Sequence, residues 1–227
     1  MDTQYLISYV ATARPSIEEL YHRCVDIGMT ASSGDQYGCE KYRIGLDKRH
    51  SDNISTALVE IEDADRGTLY LRSQSGMEVG VTVTDGSSRG KWWGSVRLSF
   101  QTTEIDWECE DSAVVDRRIS ELVDIVAALT PVIDPEYVWS AVYDENERYE
   151  SVIPDGRPIA ESVEDLSWIT VLSEPVIEQF GGREHVMATP TWGTRALDSG
   201  HVLLVLRDHP YDPEETPDGS WKQHLLK

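Results

Sequence analysis

The sequence predicts an α+β protein: a mainly antiparallel sheet with helices packed on one face. Three observations carry this. Apolar residues recur with period two through the middle of the chain, notably at Leu69 and Leu71, at Met77, Val79, Val81 and Val83, and at Val96, Leu98 and Phe100. The connections between these segments are short, which favours neighbouring antiparallel strands. A single long amphipathic pattern follows, and then further strand patterns, an order that fits α+β rather than alternating βαβ units.

Gln4 to Val10 reads as the first strand. Ser16 and Glu19 have capping-box spacing before a helical face of Ile17, Leu20, Tyr21, Cys24 and Val25, which Gly28 can end. Residues 30–53 are loop-rich, with a short strand expected at Tyr42 to Leu46. Ala57, Val59 and Ile61 alternate with polar residues and read as the opening strand of a meander that runs to Phe100, turning at Asp63–Gly67 and Asp85–Gly90.

Asp111-Ser112 starts the long helix, whose apolar positions Val115, Ile119, Leu122, Val126 and Leu129 repeat at 4-3-4-3, and Thr130-Pro131 is expected to stop it. Strands follow at Tyr137–Tyr143, Trp168–Leu172 and Val202–Leu206, with a short helix from Ser173 to Phe180 before Gly181-Gly182. The organisation expected is one α+β domain over 1–210 and an extended tail over 211–227. The acidic, proline-bearing stretch 144–166 is able to set apart lobes at 1–145 and 165–210. The single domain is favoured because the second half alone has too few elements to bury its own apolar strand.

The 227 residues hold 41 acidic and 20 basic side chains, for a formal charge of -21. Such a charge repels itself in dilute buffer, and molar salt, with a Debye length of ~3 Å, screens the repulsion. The acids are spread along the chain and only five of the bases are lysine, a composition that resembles salt-in halophile, and especially haloarchaeal, proteins. Beyond Lys48-Arg49 and Arg117-Arg118 no bases cluster in the sequence, which argues against nucleic acid as ligand. MDTQYLISYV lacks a basic, apolar secretory signal, and the longest apolar run, Val202 to Leu206, is far short of a membrane span. Three scattered cysteines, Cys24, Cys39 and Cys109, suit reduced thiols in a cytoplasmic protein.

Chemistry-bearing motifs are sparse. The six histidines show no i, i+4 ligand pair and no HExxH, so no metal is expected; His209, in Asp208-His209-Pro210-Tyr211-Asp212-Pro213, is read as part of a surface turn. No GxSxG, Walker or GxGxxG pattern is present, so neither a nucleophile nor a cofactor site is expected. Cys39, in a glycine-bearing loop, has no identifiable histidine partner. Trp92-Trp93 stands out: alternation places Trp92 with Val96, Leu98 and Phe100 on the apolar face and Trp93 with Ser95, Arg97 and Ser99 on the polar one. Burial of that row beneath a helix or loop is the ordinary reading. The sharper one makes Trp93 and Arg97 partner contacts, since tryptophan and arginine are enriched at binding hot spots.

Trp168-Ile169-Thr170-Val171-Leu172-Ser173, Phe180-Gly181-Gly182-Arg183, Pro190, Trp192 and Leu197-Asp198-Ser199-Gly200 before the Val202–Leu206 strand, with the helix 113–130 and the strand 137–143 upstream, form an ordered set. That set, covering about 113–210, resembles immunity proteins of type VI and other polymorphic toxin systems. The resemblance implies a cytoplasmic, non-enzymatic protein that neutralises a toxin by occluding it, and it transfers no functional residue. The alternative is an enzyme using carboxylates in a cleft of the sheet, which should show at least two carboxyl groups held above their ordinary pKa range.

Overall fold

The computed structural model describes residues 4–34, 39–51, 53–85, 95–142, 166–210 and 220–225. Among these, twelve strands form one antiparallel sheet. In chain order they are β1 (Gln4–Val10), β2 (Thr30–Ala31), β3 (Ser33–Gly34), β4 (Cys39–Ile44), β5 (Asp47–Ser51), β6 (Arg66–Arg72), β7 (Glu78–Thr84), β8 (Val96–Gln101), β9 (Tyr137–Val142), β10 (Ile169–Leu172), β11 (Gly193–Ala196) and β12 (Val202–Val205). Across the sheet the order is β11-β12-β10-β9-β1-β8-β7-β6-β4-β3, with β2 on β6 and β5 on β4. The first strand is therefore central, and the two halves of the chain extend the sheet in opposite directions from it.

Helices α1 (Ile17–Asp26), α2 (Ile54–Glu62) and α3 (Ser112–Ile133) cover one face. Ile17, Leu20 and Cys24 of α1, Ala57 and Ile61 of α2, and Val115, Ile119, Leu122, Val126 and Leu129 of α3 share a core with Tyr5, Ile7, Tyr9, Val81, Leu98, Val171 and Val205 of the sheet. Alternation turns the intervening strand residues the other way. At the β9–β12 end that second face carries its own cluster, where Tyr137, Trp139 and Leu204 meet α4 (Glu174–Gln179), α5 (Arg183–Met187) and α6 (Ser220–Leu225).

Residues 54–62 are not the opening strand of the meander. Asn53 caps a helix, its side-chain oxygen accepting the Ser55 amide at 2.9 Å. Ala57, Leu58 and Ile61 are buried, the i, i+1, i+4 set of a helix face, whereas Val59, which a strand would have turned inward with them, is 61% exposed. Gly67 of β6 makes the docking possible, because a Cβ there would stand 2.6 Å from Ile61 Cγ2. The strands expected after the Asp63–Gly67 turn are present as β6, β7 and β8.

Pro131 does not stop α3. The helix runs on to Ile133 and ends at Asp134, whose φ of 48° is left-handed. Proline deletes one helical amide, and burial of Thr130 and Ile133 holds the final turn against that loss. The capping box at Ser16 is also altered: Ser16 accepts from Glu18, and the Ile17 amide turns to Glu62 of α2. The extended tail expected over 211–227 ends in a helix at 220–225, because Trp221 and Leu225 bury against the second cluster. The sequence reading also lacked α5, β11 and the β4–β5 hairpin as such. The segment 144–166, apart from Leu166, and the pair Trp92-Trp93 lie outside the described residues.

Candidate protein-binding surface

The face of β4–β8 turned away from α1–α3 holds Arg97, the one sequence-predicted contact within the described residues. Cross-strand register defines a row: Arg97 opposes Ser8 of β1 and Thr82 of β7, Thr82 opposes Thr68 of β6, Thr68 opposes Arg43 of β4, and Arg43 opposes Lys48 of β5. Ser8, Thr68 and Thr82 are buried, with the two threonine hydroxyls 2.8 Å apart, while Arg43 and Arg97 are half-buried and Lys48 is exposed. Val96, Leu98 and Phe100, on the opposite side of β8, are core, as the alternation predicted.

The sign of charge on this face is opposite to that of the molecule. Alternation from the same register adds Lys41, Arg66 and Arg72, whereas Glu78 is the acid that β4–β8 place there among the described residues. Glu78 is already engaged: Lys41 Nζ lies 3.1 Å from one of its oxygens and Ser32 Oγ donates to the other at 2.8 Å. Lys41 also stands 4.9 Å from the centre of the Tyr70 ring. Arg43 reaches the Tyr70 hydroxyl at 3.5 Å and donates to the Leu46 carbonyl at 3.2 Å. The sequence hid this cluster because its bases sit on separate strands and converge through register alone.

At the foot of β7 a second charged group is structural. Arg118 of α3 is buried and meets Glu104 Oε2 at 2.9 Å, Glu110 Oε1 at 3.2 Å and the Glu104 carbonyl at 2.7 Å. Desolvation raises the Glu104 carboxyl above the usual range; Arg118 and a hydrogen bond from the Glu78 backbone oppose the shift, while the charges of Glu110 and Glu78 reinforce it. A catalytic carboxylate pair calls for two raised groups in one cleft, and among the described residues Glu104 is the carboxyl so shifted.

A groove of about 440 Å³ runs between α1 and α3 on the other face. Its apolar floor includes Ile27, Met29 and Ile125, and its polar rim is already engaged. Arg23 donates to the Ala128 carbonyl at 3.1 Å, Gln74 to the Ile27 carbonyl at 3.1 Å, Ser75 to Glu121 at 2.6 Å, and Arg195 to Asp124 at 3.0 Å. No set of free polar groups converges there among the described residues.

Four of the histidines, and Cys24, take structural positions. His209 is not at a surface turn: it is 3% exposed, bonded to the Ile105 carbonyl and stacked on Trp107 with ring centres 4.0 Å apart. His201 is buried and bridges Ser199 Oγ, at 3.0 Å, and the Pro135 carbonyl, at 2.9 Å. His185 and His224 stack with centres 4.1 Å apart, each ring nitrogen Nε2 donating to the other's carbonyl at 2.8 Å. Burial pushes the Cys24 thiol up to about 12, and Cys39 begins β4. No cluster of three or more His, Cys, Asp or Glu is arranged to hold a metal among the described residues, and no helix among them is long and apolar enough to cross a membrane.

This arrangement defines an α+β protein with one wide antiparallel sheet and a basic patch on the face away from α1–α3. No protein-family model matches the sequence, and no curated protein matches it. Among solved structures the chain is similar to the Pseudomonas aeruginosa T6SS protein PA0821, with a TM-score of 0.54 and 11% identity, over 99% of this chain and 72% of that one. At this identity the likeness speaks for the fold alone.

Proposed function

We propose that this chain is a non-catalytic binding module of the immunity type, which neutralises a toxin domain in the cytoplasm by covering it. The observation that carries the reading is the fold likeness to a T6SS protein along 99% of the chain. That fold likeness spans the first half of the chain as well as 113–210. The engaged rim of the α1–α3 groove and the structural roles of these four histidines favour binding over catalysis. Trp93 and Arg97 are the proposed contacts, with Arg97 standing on the sheet face that α1–α3 leave uncovered.

The test is co-expression with each toxin-domain protein that genes adjoining its own encode, followed by size-exclusion chromatography and a growth assay. A stoichiometric complex and restored growth are expected. Trp93→Ala or Arg97→Ala should weaken the complex by about tenfold or more, as for hot-spot residues, with the melting temperature unchanged. Growth arrest that the chain fails to relieve, with no complex, would end the reading; full-strength binding by both variants would move the contact elsewhere on the surface.

A further inference from the structure

We infer that the β4–β6 end of this sheet face docks an acidic segment of the protein partner, with Lys48 and Arg72 taking its carboxylates and Arg43, held on Tyr70, adding positive charge between them. The inference rests on the protein-binding reading and names the chemistry of the partner.

Acids outnumber bases by 41 to 20 in this chain, so a base without an acid beside it is not explained by a shortage of acids. Arg49, which faces the helical side, meets Glu60 at 3.2 Å, and Arg195 meets Asp124 at 3.0 Å. Among the described residues no ion pair holds Arg43 or Lys48, and Arg72 stands opposite Glu78 in register, whose two oxygens are already bonded to Lys41 and Ser32. Arg43 and Lys48 are moreover direct cross-strand partners, a placement of like charges that costs a sheet stability. Lys48 and Arg72 are exposed, and Arg43 spends its bonds on the Tyr70 hydroxyl and a carbonyl.

The chemistry selects the ligand. A guanidinium fork binds a carboxylate through two parallel hydrogen bonds, and a neighbouring ammonium adds charge. Nucleic acid would also suit a basic patch, but its uniform negative charge would meet a body of formal charge -21 on every side. A protein surface can present acids at the patch and bases around it, so both the patch and its acidic surroundings are matched.

The experiment measures fluorescence anisotropy of a labelled 20-residue peptide, a central run of glutamates flanked on both sides by lysines, and of a labelled 20-nucleotide oligothymidylate, in 150 mM salt. The proteins are the wild type, Lys48→Glu, Arg72→Glu and the charge-matched control Arg117→Glu on exposed α3 surface, each checked for an unchanged melting temperature. The peptide should bind, and either patch variant should weaken it by about tenfold while Arg117→Glu does not. Absent binding, equal loss with the control, or tighter binding of the oligothymidylate overturns the inference. The same variants are then assayed against the toxin-domain proteins of the co-expression test. Undiminished toxin binding by both patch variants overturns the patch and leaves the immunity reading standing. Peptide binding that depends on the patch, with no toxin complex, upholds the patch and ends the immunity reading.

Discussion

Glu62, the last residue of α2, accepts the backbone amide of Ile17, the first residue of α1, at 2.9 Å. Arg14 completes the exchange by donating to the carbonyls of Ile61 and Ala64, at 2.7 and 2.6 Å. Each helix thus receives from the other's flank the partner that its own terminus lacks, an anion at the start of α1 and a cation at the end of α2. Glu62→Ala should cost about 1.5 kcal/mol, the scale of a hydrogen bond to a charged group, read as a lower urea midpoint at unchanged slope. A midpoint equal to the wild type would show that water replaces the carboxylate at no cost.

Arg118 is the common partner of Glu104 and Glu110. Arg118→Met should destabilise by about 2 kcal/mol, below the 3–5 of fully buried pairs because both glutamates keep contact with water. Glu104 has a raised carboxyl in the fold, so the folded state takes up its proton before the unfolded state does as pH falls. Its ionised form is therefore a cost at neutral pH, and that cost fades as pH drops through the folded pKa. Without Arg118 the cost grows, so the penalty of the variant should be larger at pH 7.5 than at pH 5. Urea titrations at both values test this; a pH-independent penalty contradicts it.

Cys24 stands on the buried face of α1, in the core, and its thiol is held up to about 12 by desolvation. The thiolate is the reactive form, so iodoacetamide at pH 8 should leave Cys24 unmodified in the folded protein and alkylate it in 6 M guanidinium chloride. Peptide mass spectrometry reads the outcome. Alkylation in the folded state at the rate of the unfolded chain would show that α1 opens readily.

The His185–His224 stack fastens α6 onto α5 over the second cluster, where Trp221 is 6% exposed. His185→Ala removes the ring that donates to the His224 carbonyl and the face on which His224 stacks. Amides of 220–225 should then exchange about tenfold faster while those of β1 and β8 stay protected, the pattern of a local opening. Unchanged exchange in 220–225 would mean that Trp221 and Leu225 hold the helix without the histidines.

Elements whose burial pattern is decided within the segment were legible from the residues. β1, β7, β8, β9 and β12 alternate or run apolar in a way that few other structures accommodate, and α3 repeats over enough turns to declare its period. Residues 54–62 were not legible, since Ala57, Val59 and Ile61 satisfy both a period of two and part of a helix face. The arbiter was a distant fit, Ile61 against the bare backbone of Gly67. Arg97 was found on the right side of β8 because alternation is local. Arg43, Lys48 and Arg72 were missed as a group because their proximity depends on the pairing of β4 with β5 and β6.

Composition and periodicity were enough to establish an acidic α+β chain with an antiparallel sheet, a long α3 and no recognisable catalytic motif. Those properties follow from the residues and their near neighbours along the backbone. The position of β1 at the centre of the sheet, the docking of α6 on the second cluster and the gathering of bases on one face arise from contacts between segments far apart in the chain. Register and packing set such contacts, and a one-residue slip of β4 or β5 would turn Arg43 or Lys48 to the opposite face.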